Sequence, residues 1–382
     1  MGWEACSAMT RRTPLLLAGA ALVAAGLLTV PGTAQAQPDG ALTMAIFGDA
    51  PYGTKPGDNA EFNDMPAFIS QINADPDVAS VVHVGDIHSG KQYCTESYDR
   101  AVYGLFGQFD KSLVYTPGDN EWADCHKAGE GGGLGVDYAD GNPVANLALL
   151  RSIFFASPGQ TLGQGNLHVS SQATAYDPGH PEDAAYVENV RWQRKGVEFV
   201  TLDLPGGSNN DADIWYGAAT ETAQQHDERV ARTAADLRWL DAAFAQAAAD
   251  DAHAVVVLTQ ADMWDVDGKS PAHLSNYEPF VASLADHTNA LGKPVLLFNG
   301  DSHVYRSDNP FSPSTDGCET EGGACSSSVA SAHPGYTVPD FHRITVHGST
   351  FPLEWLKLTI SPRNDGTFGP FSWERHTTSL SS

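Results

Sequence analysis

Four times in this chain an apolar run stops at a Gly-Asp pair: AIFGD, VVHVGD, LVYTPGD and VLLFNGD. The pairs are Gly48-Asp49, Gly85-Asp86, Gly118-Asp119 and Gly300-Asp301. Near-continuous apolar runs of this length read as strands covered on both faces. Glycine lets the backbone turn sharply at the strand end, so each Asp sits at the carboxyl edge of a sheet. Ligands of open α/β sheets bind at that edge. If the strands are neighbours, the four carboxylates converge. The chain carries its own control: Pro56-Gly57-Asp58-Asn59 copies Pro117-Gly118-Asp119-Asn120, but it follows no apolar run and reads as a turn.

Eight strands are expected, at Leu42–Phe47, Ser80–Val84, Ser112–Thr116, Val197–Leu204, Ala254–Thr259, Pro294–Asn299, His342–His347 and Trp355–Ile360. Helical patterns lie between them at Glu61–Asn73, Thr95–Phe109 and about Asp227–Ala249. In the last of these, Val230, Leu237, Leu240 and Phe244 mark one apolar face. Alternation of strand and helix points to an α/β fold with a largely parallel sheet. The last two strands have no helix between them and read as an antiparallel hairpin. Segments 127–143, 163–185 and 307–339 read as long loops. There is no internal repeat and no linker, so residues 37–382 read as one domain.

The first residues read as a secretory signal peptide, 1–36: a basic pair at Arg11 and Arg12, an apolar run from Pro14 to Val30, and the small-residue pattern Ala34-Gln35-Ala36. That implies a secreted or periplasmic protein with no stable membrane anchor after cleavage. Lys and Arg total 21 against 47 Asp and Glu, a net charge of −26. Such a surface repels nucleic acid and anionic membranes, so nucleic-acid binding is not expected. Past the leader, Cys94, Cys125, Cys318 and Cys325 remain, an even number in an exported chain. Cys318 and Cys325 flank a short Gly-containing segment and are easy partners, leaving Cys94 to pair with Cys125. A zinc site made of all four lacks any C-x-x-C spacing.

Converging carboxylates need a counter-charge, and divalent cations are the usual one. The competing reading, in which each Asp only caps a helix or makes a turn, does not explain the polar residues that follow three of the pairs: His88, Asn120-Glu121 and Ser302-His303. The order of these blocks resembles the calcineurin-like (purple-acid-phosphatase-like) metallophosphoesterases, from Asp49 to His303. In that family the blocks read D-x-H, G-D-x-x, G-N-H-D/E, a strand ending in His, and G-H-x-H. The resemblance implies a four-layer α/β/β/α sandwich and a site for two divalent metal ions bridged by one Asp. It places Asp49, Asp86 (the bridging residue), Asp119, Asn120, Gln260, Asp301 and His303 at the metal-site positions.

Departures from the family pattern are pronounced. Its D-x-H histidine is Pro51 here, its middle histidine is Gln260, and the first histidine of its last block is Asp301. Either the site is degenerate or it has been rebuilt with oxygen ligands. Gln and Asp still offer oxygens, which favours rebuilding. Tyr52 and His88 are the candidates for the place Pro51 vacates. An oxygen-rich set favours Mg²⁺, Mn²⁺ or Ca²⁺ over Zn²⁺ or Fe. The implied activity is hydrolysis of a small-molecule or macromolecular phosphoester by a metal-activated water. Asn120 stands where the family has its catalytic histidine, and an amide cannot protonate a leaving group, so His88, His126 or His303 inherits that role. Better turnover of aryl or diester substrates than of alkyl monoesters is expected. Asn209 and Asn210 either bind substrate or form a turn. Lys91, Arg306 and Arg343 are candidate phosphate contacts, with surface ion pairing as the alternative. Trp122, Trp264 and Tyr305 either wall the cleft or pack. The alternative function is a non-catalytic secreted protein that binds metal or anions on the same scaffold.

Overall fold

The computed structural model describes residues 40–210 and 213–378, so the signal-peptide reading of 1–36 lies outside the described residues. The strands are β1 (Leu42–Phe47), β2 (Val78–His83), β3 (Ser112–Tyr115), β4 (Leu162–Gly163), β5 (Ser170–Ser171), β6 (Val190–Arg194), β7 (Val197–Thr201), β8 (Ala254–Leu258), β9 (Val295–Asn299), β10 (Arg306–Asp308), β11 (Glu319–Thr320), β12 (Phe341–Thr345), β13 (Glu354–Ile360) and β14 (Phe371–Thr377). The longer helices are α1 (Ala60–Ala74), α2 (Glu96–Phe106), α3 (Pro143–Phe154), α4 (Ala223–Ala249) and α5 (Glu278–Leu291).

The strands form two mixed sheets. One runs β14-β13-β1-β2-β3-β4 and the other β11-β10-β12-β9-β8-β7-β6-β5. In the first, β1, β2 and β3 are parallel. In the second, β7, β8, β9 and β12 are parallel. Strand alternation sorts the side chains into three cores. Met44 and Ile46 of β1, with Val256 and Leu258 of β8 and Leu296 and Phe298 of β9, fill the space between the sheets. Ala45 and Phe47 face the other way and pack with Met65, Phe68 and Ile72 of α1, Phe106 of α2 and Leu150 of α3. Val255, Val257, Val295 and Leu297 meet Trp239, Leu240 and Phe244 of α4 and Phe280 and Leu284 of α5. Helix, sheet, sheet, helix is the expected four-layer α/β/β/α sandwich. Each fully buried Leu, Ile, Val or Phe in these cores stabilises it by about 1.5–3 kcal/mol before chain entropy is counted.

Local signals set the helix starts. Thr95 accepts a hydrogen bond from Tyr98 N at the head of α2 (3.3 Å), Asn142 accepts from Ala145 N at α3 (2.9 Å), and Thr222 accepts from Gln225 N at α4 (3.1 Å). Pro143 occupies the first position of α3, where its missing N–H costs nothing.

Two expectations are corrected. The hairpin between the last two expected strands does not form: β12 runs parallel to β9 in the second sheet, while β13 crosses to the first, antiparallel to β1, and pairs with β14. On α4 the expected apolar face is buried at Leu240 and Phe244 and partly at Leu237, but Val230 is 48% exposed, and the buried face also takes in Arg232, Ala235, Asp236, Trp239 and Ala243. Both expected cysteine pairs are present, Cys94–Cys125 and Cys318–Cys325.

Candidate metal centre

Sheet order brings the Gly-Asp turns together. Asp49, Asp86 and Asp119 follow adjacent parallel strands of one sheet, while Gln260 and Asp301 follow adjacent parallel strands of the other. Asp58, in the sequence copy, accepts hydrogen bonds from Thr54 N and Ala60 N and makes only an exposed turn. Asp49, Asp86, Asp301 and His303 take the left-handed backbone conformation, with φ of 49°, 61°, 71° and 59°. That conformation is unfavourable for residues other than glycine, and such outliers cluster at functional sites. Here backbone bonds hold the turns: Asp49 N donates to Gly85 O (2.8 Å) and Asp301 N to Asp49 Oδ1 (3.1 Å). Glycine is required beside them. A Cβ on Gly300 would lie 2.3 Å from Asp49 Oδ2, and one on Gly118 would lie 2.0 Å from Asp86 Oδ1.

Asp86, Asp119 and Asp301 line a cavity of about 590 Å³, together with His303, Lys91, Lys269, Ser349, Thr350 and Phe351. Ligand atoms of Asp49, Asp86 and His303 all lie within 4.8 Å of one another. His303 Nε2 is 3.3 Å from Asp49 Oδ1 and 3.3 Å from the Tyr52 hydroxyl. That hydroxyl donates to Asp86 Oδ2 (2.6 Å), which puts Tyr52 against the carboxylate. Asn120 Nδ2 donates to the Tyr52 oxygen (2.9 Å) and to Asp86 Oδ2 (2.9 Å). Gln260 Nε2 bridges Asp86 Oδ2 (3.2 Å) and Asp119 Oδ1 (2.9 Å). Beneath them, Glu121 accepts from Gly118 N (2.7 Å), Asp86 N (3.2 Å) and the Tyr115 hydroxyl, fixing the Gly118 turn.

Electrostatics show what this convergence costs. Burial, then the charges of Asp119, Glu121 and Asp49, push the Asp86 carboxyl well above the usual carboxylate range. Burial, with Asp119 and Asp262 nearby, pushes Asp301 up to about 8 despite Lys269. Burial opposes a charged imidazole at His303, yet Asp49 beside it holds that pKa above its ordinary value. Asp49 Oδ2 is buried and has no hydrogen-bond partner, an arrangement a cation satisfies. The trio Asp49, Asp86 and His303 therefore fits a divalent ion.

Other expected site residues lie elsewhere. His88 is fully buried, its Nδ1 3.1 Å from Ser89 O, and burial lowers its pKa to about 4. His126 Nδ1 accepts from Tyr216 N (3.2 Å), and its pKa is also lowered to about 4, chiefly by burial. Neither is among the residues that line the cavity. Asn209 accepts from Arg232 Nη1 (2.8 Å) and Asn210 from Trp215 Nε1 (2.9 Å), which ties the end of β7 to α4 and the following loop. Arg306 pairs with exposed Asp267 (2.9 Å). Arg343 is fully buried between Asp308 and Asp262, so it is neither a phosphate contact nor a surface ion pair. Trp122, Trp264 and Tyr305 are buried and pack against arginines or other rings.

Sequence reasoning did not single out Lys269 or Glu61. Lys269 is a lone cation in an acidic loop beyond Gln260, the signal by which it was findable. Glu61 lines the cavity at the head of α1 and accepts from Tyr52 N (2.7 Å), and burial lifts its pKa to about 7.

No protein-family model matches the sequence, and no curated protein matches it. Among solved structures, the chain has a distant likeness to a purple acid phosphatase isolated from yellow lupin (Lupinus luteus) seeds, at 12% identity and a TM-score of 0.42. The match covers 90% of this chain and 52% of that one, so it spans about half the length of the lupin protein. The fold stands on the sheet order and the three cores described above.

Proposed function

We propose that the chain is an exported, metal-dependent hydrolase of phosphoesters. The observation that carries the reading is the trio Asp49, Asp86 and His303, whose ligand atoms lie within 4.8 Å of one another, with a buried, unpartnered Asp49 oxygen behind a cavity that Asp86 and His303 line. A divalent cation bound there would supply Lewis-acid activation of water and of a phosphoryl oxygen. Two carboxylates and one imidazole suit Mg²⁺, Mn²⁺ or Ca²⁺ better than Zn²⁺ or Fe.

The remaining steps belong to the side chains. Lys91 and Lys269 present ammonium groups to a bound phosphoryl group. Tyr52 and Asn120 orient Asp86 by hydrogen bonds. His303 lines the cavity and, as a neutral imidazole, would hold the cation with Asp49 and Asp86. Phe351, 47% exposed, offers an apolar wall for an aryl leaving group. With an amide at Asn120, substrates whose leaving groups need little protonation are favoured. Export is supported by the leader pattern at 1–36 and by two disulfides.

The test is hydrolysis of an aryl phosphate and of an alkyl monoester with added Mn²⁺, Mg²⁺ or Ca²⁺. The aryl ester should turn over faster, and EDTA should abolish turnover of both. Turnover that is indifferent to EDTA refutes the metal role, and equal rates refute the leaving-group argument. The amide at Asn120 also favours a second reading, a non-catalytic protein that binds metal or anions. A metal-dependent rise in melting temperature with no turnover of any ester would select it.

A further inference from the structure

The family that the sequence resembles uses two metal ions, but the residues here fit one. On the Asp119 side of Asp86, the place between the carboxylates is taken by the chain itself. The Gly206 N–H donates to Gln260 Oε1, which fixes which way that amide points. A backbone donor cannot be flipped, so Gln260 must turn its NH₂ group toward Asp86 (3.2 Å) and Asp119 (2.9 Å). Its oxygen is then unavailable as a ligand. Gly206 also stands against the same carboxylates: a Cβ on it would lie 2.7 Å from Asp119 Oδ2 and 2.9 Å from Asp301 Oδ1. Charge is also supplied from within, because Lys269 lines the cavity and is attracted chiefly by Asp301, then by Asp119.

We propose that the centre holds a single divalent cation at Asp49, Asp86 and His303, and that the Gln260 amide and the Lys269 ammonium replace a second one. The inference rests on the metal-binding part of the proposed function and is independent of turnover.

The test is metal stoichiometry. Protein stripped with EDTA, loaded with excess Mn²⁺ and dialysed should retain one equivalent by elemental analysis. Its electron paramagnetic resonance spectrum should be that of an isolated ion. Asp49→Asn should lose the bound metal. Two equivalents in the wild type, an exchange-coupled Mn²⁺ pair, or full retention of metal by Asp49→Asn would each overturn the proposal. The wild-type measurements do not depend on any variant folding. One equivalent without hydrolysis would leave this inference standing and sink the hydrolase reading instead.

Discussion

Gly118→Ala puts the frame of the centre to a quantitative test. The added methyl would meet Asp86 Oδ1 at 2.0 Å and Asp86 N at 2.6 Å, where ordinary contact begins near 3.4 Å. The carboxylate must therefore retreat by roughly 1.4 Å, and the backbone contact prevents side-chain rotation alone from relieving the clash. Overpacking of this kind costs about 1–3 kcal/mol. Displacing a positioned group by about 1 Å lowers turnover by about 10²-fold. Gly57→Ala in the copied sequence is the control. No atom lies within 4 Å of its added methyl, and its φ of 75° confines the cost to local strain of roughly 1 kcal/mol. Urea unfolding, Mn²⁺ titration and aryl phosphate turnover should be measured on both variants. Gly118→Ala should weaken metal binding and turnover, whereas Gly57→Ala should change neither. Normal metal affinity and turnover in Gly118→Ala, or equal losses in the two, would refute the reasoning.

Three further outcomes are expected. Arg343→Ala leaves Asp262 and Asp308 buried without their partner (2.5 and 2.9 Å), so urea unfolding should report a loss of about 3–5 kcal/mol. Metal binding should weaken with it, because Asp262 N holds Asp301 (3.2 Å) and Asp262 Oδ2 holds Ser302 (2.9 Å). Replacing Cys94 and Cys125 with Ser frees a closure of 31 residues and should lower unfolding stability by about 4 kcal/mol, while reductant should destabilise the wild type similarly. Glu198, in the middle of β7, has its pKa raised by burial from the ordinary 4.5 to about 7. A raised acid pKa means the folded state binds the proton more tightly, so this contribution is present below pH 4.5 and is lost as pH rises through about 7. Glu198→Gln should thus be more stable than the wild type at pH 8, with the difference vanishing below pH 4.5. A constant difference across that range would contradict the assignment.

The sequence revealed the central strands because strands buried on both faces are apolar throughout, but it read as one largely parallel sheet where the chain forms two mixed ones. It revealed the turns because glycine at a strand end has few other uses. What it hid has physical causes. The direction of β13 was illegible, since an apolar run does not say which sheet it joins, and β6, VRWQR, next to the short edge strand β5, carries exposed polar residues at its end. The buried face of α4 was hidden because it carries Arg232 and Asp236, whose charges are paired inside the fold. At the centre, the residue types at strand ends were readable, and the donor role of Gln260 was not. Gln260 acts as a donor because of Gly206, a residue remote in sequence and placed by β7.

The central claim is that Asp86 anchors a metal centre that hydrolyses phosphoesters. The most direct measurement is aryl phosphate turnover by the wild type and by Asp86→Asn, each loaded with Mn²⁺ and each shown to be folded. The account predicts turnover by the wild type and a loss of orders of magnitude in the variant, together with loss of bound metal. Undiminished turnover by Asp86→Asn would contradict it.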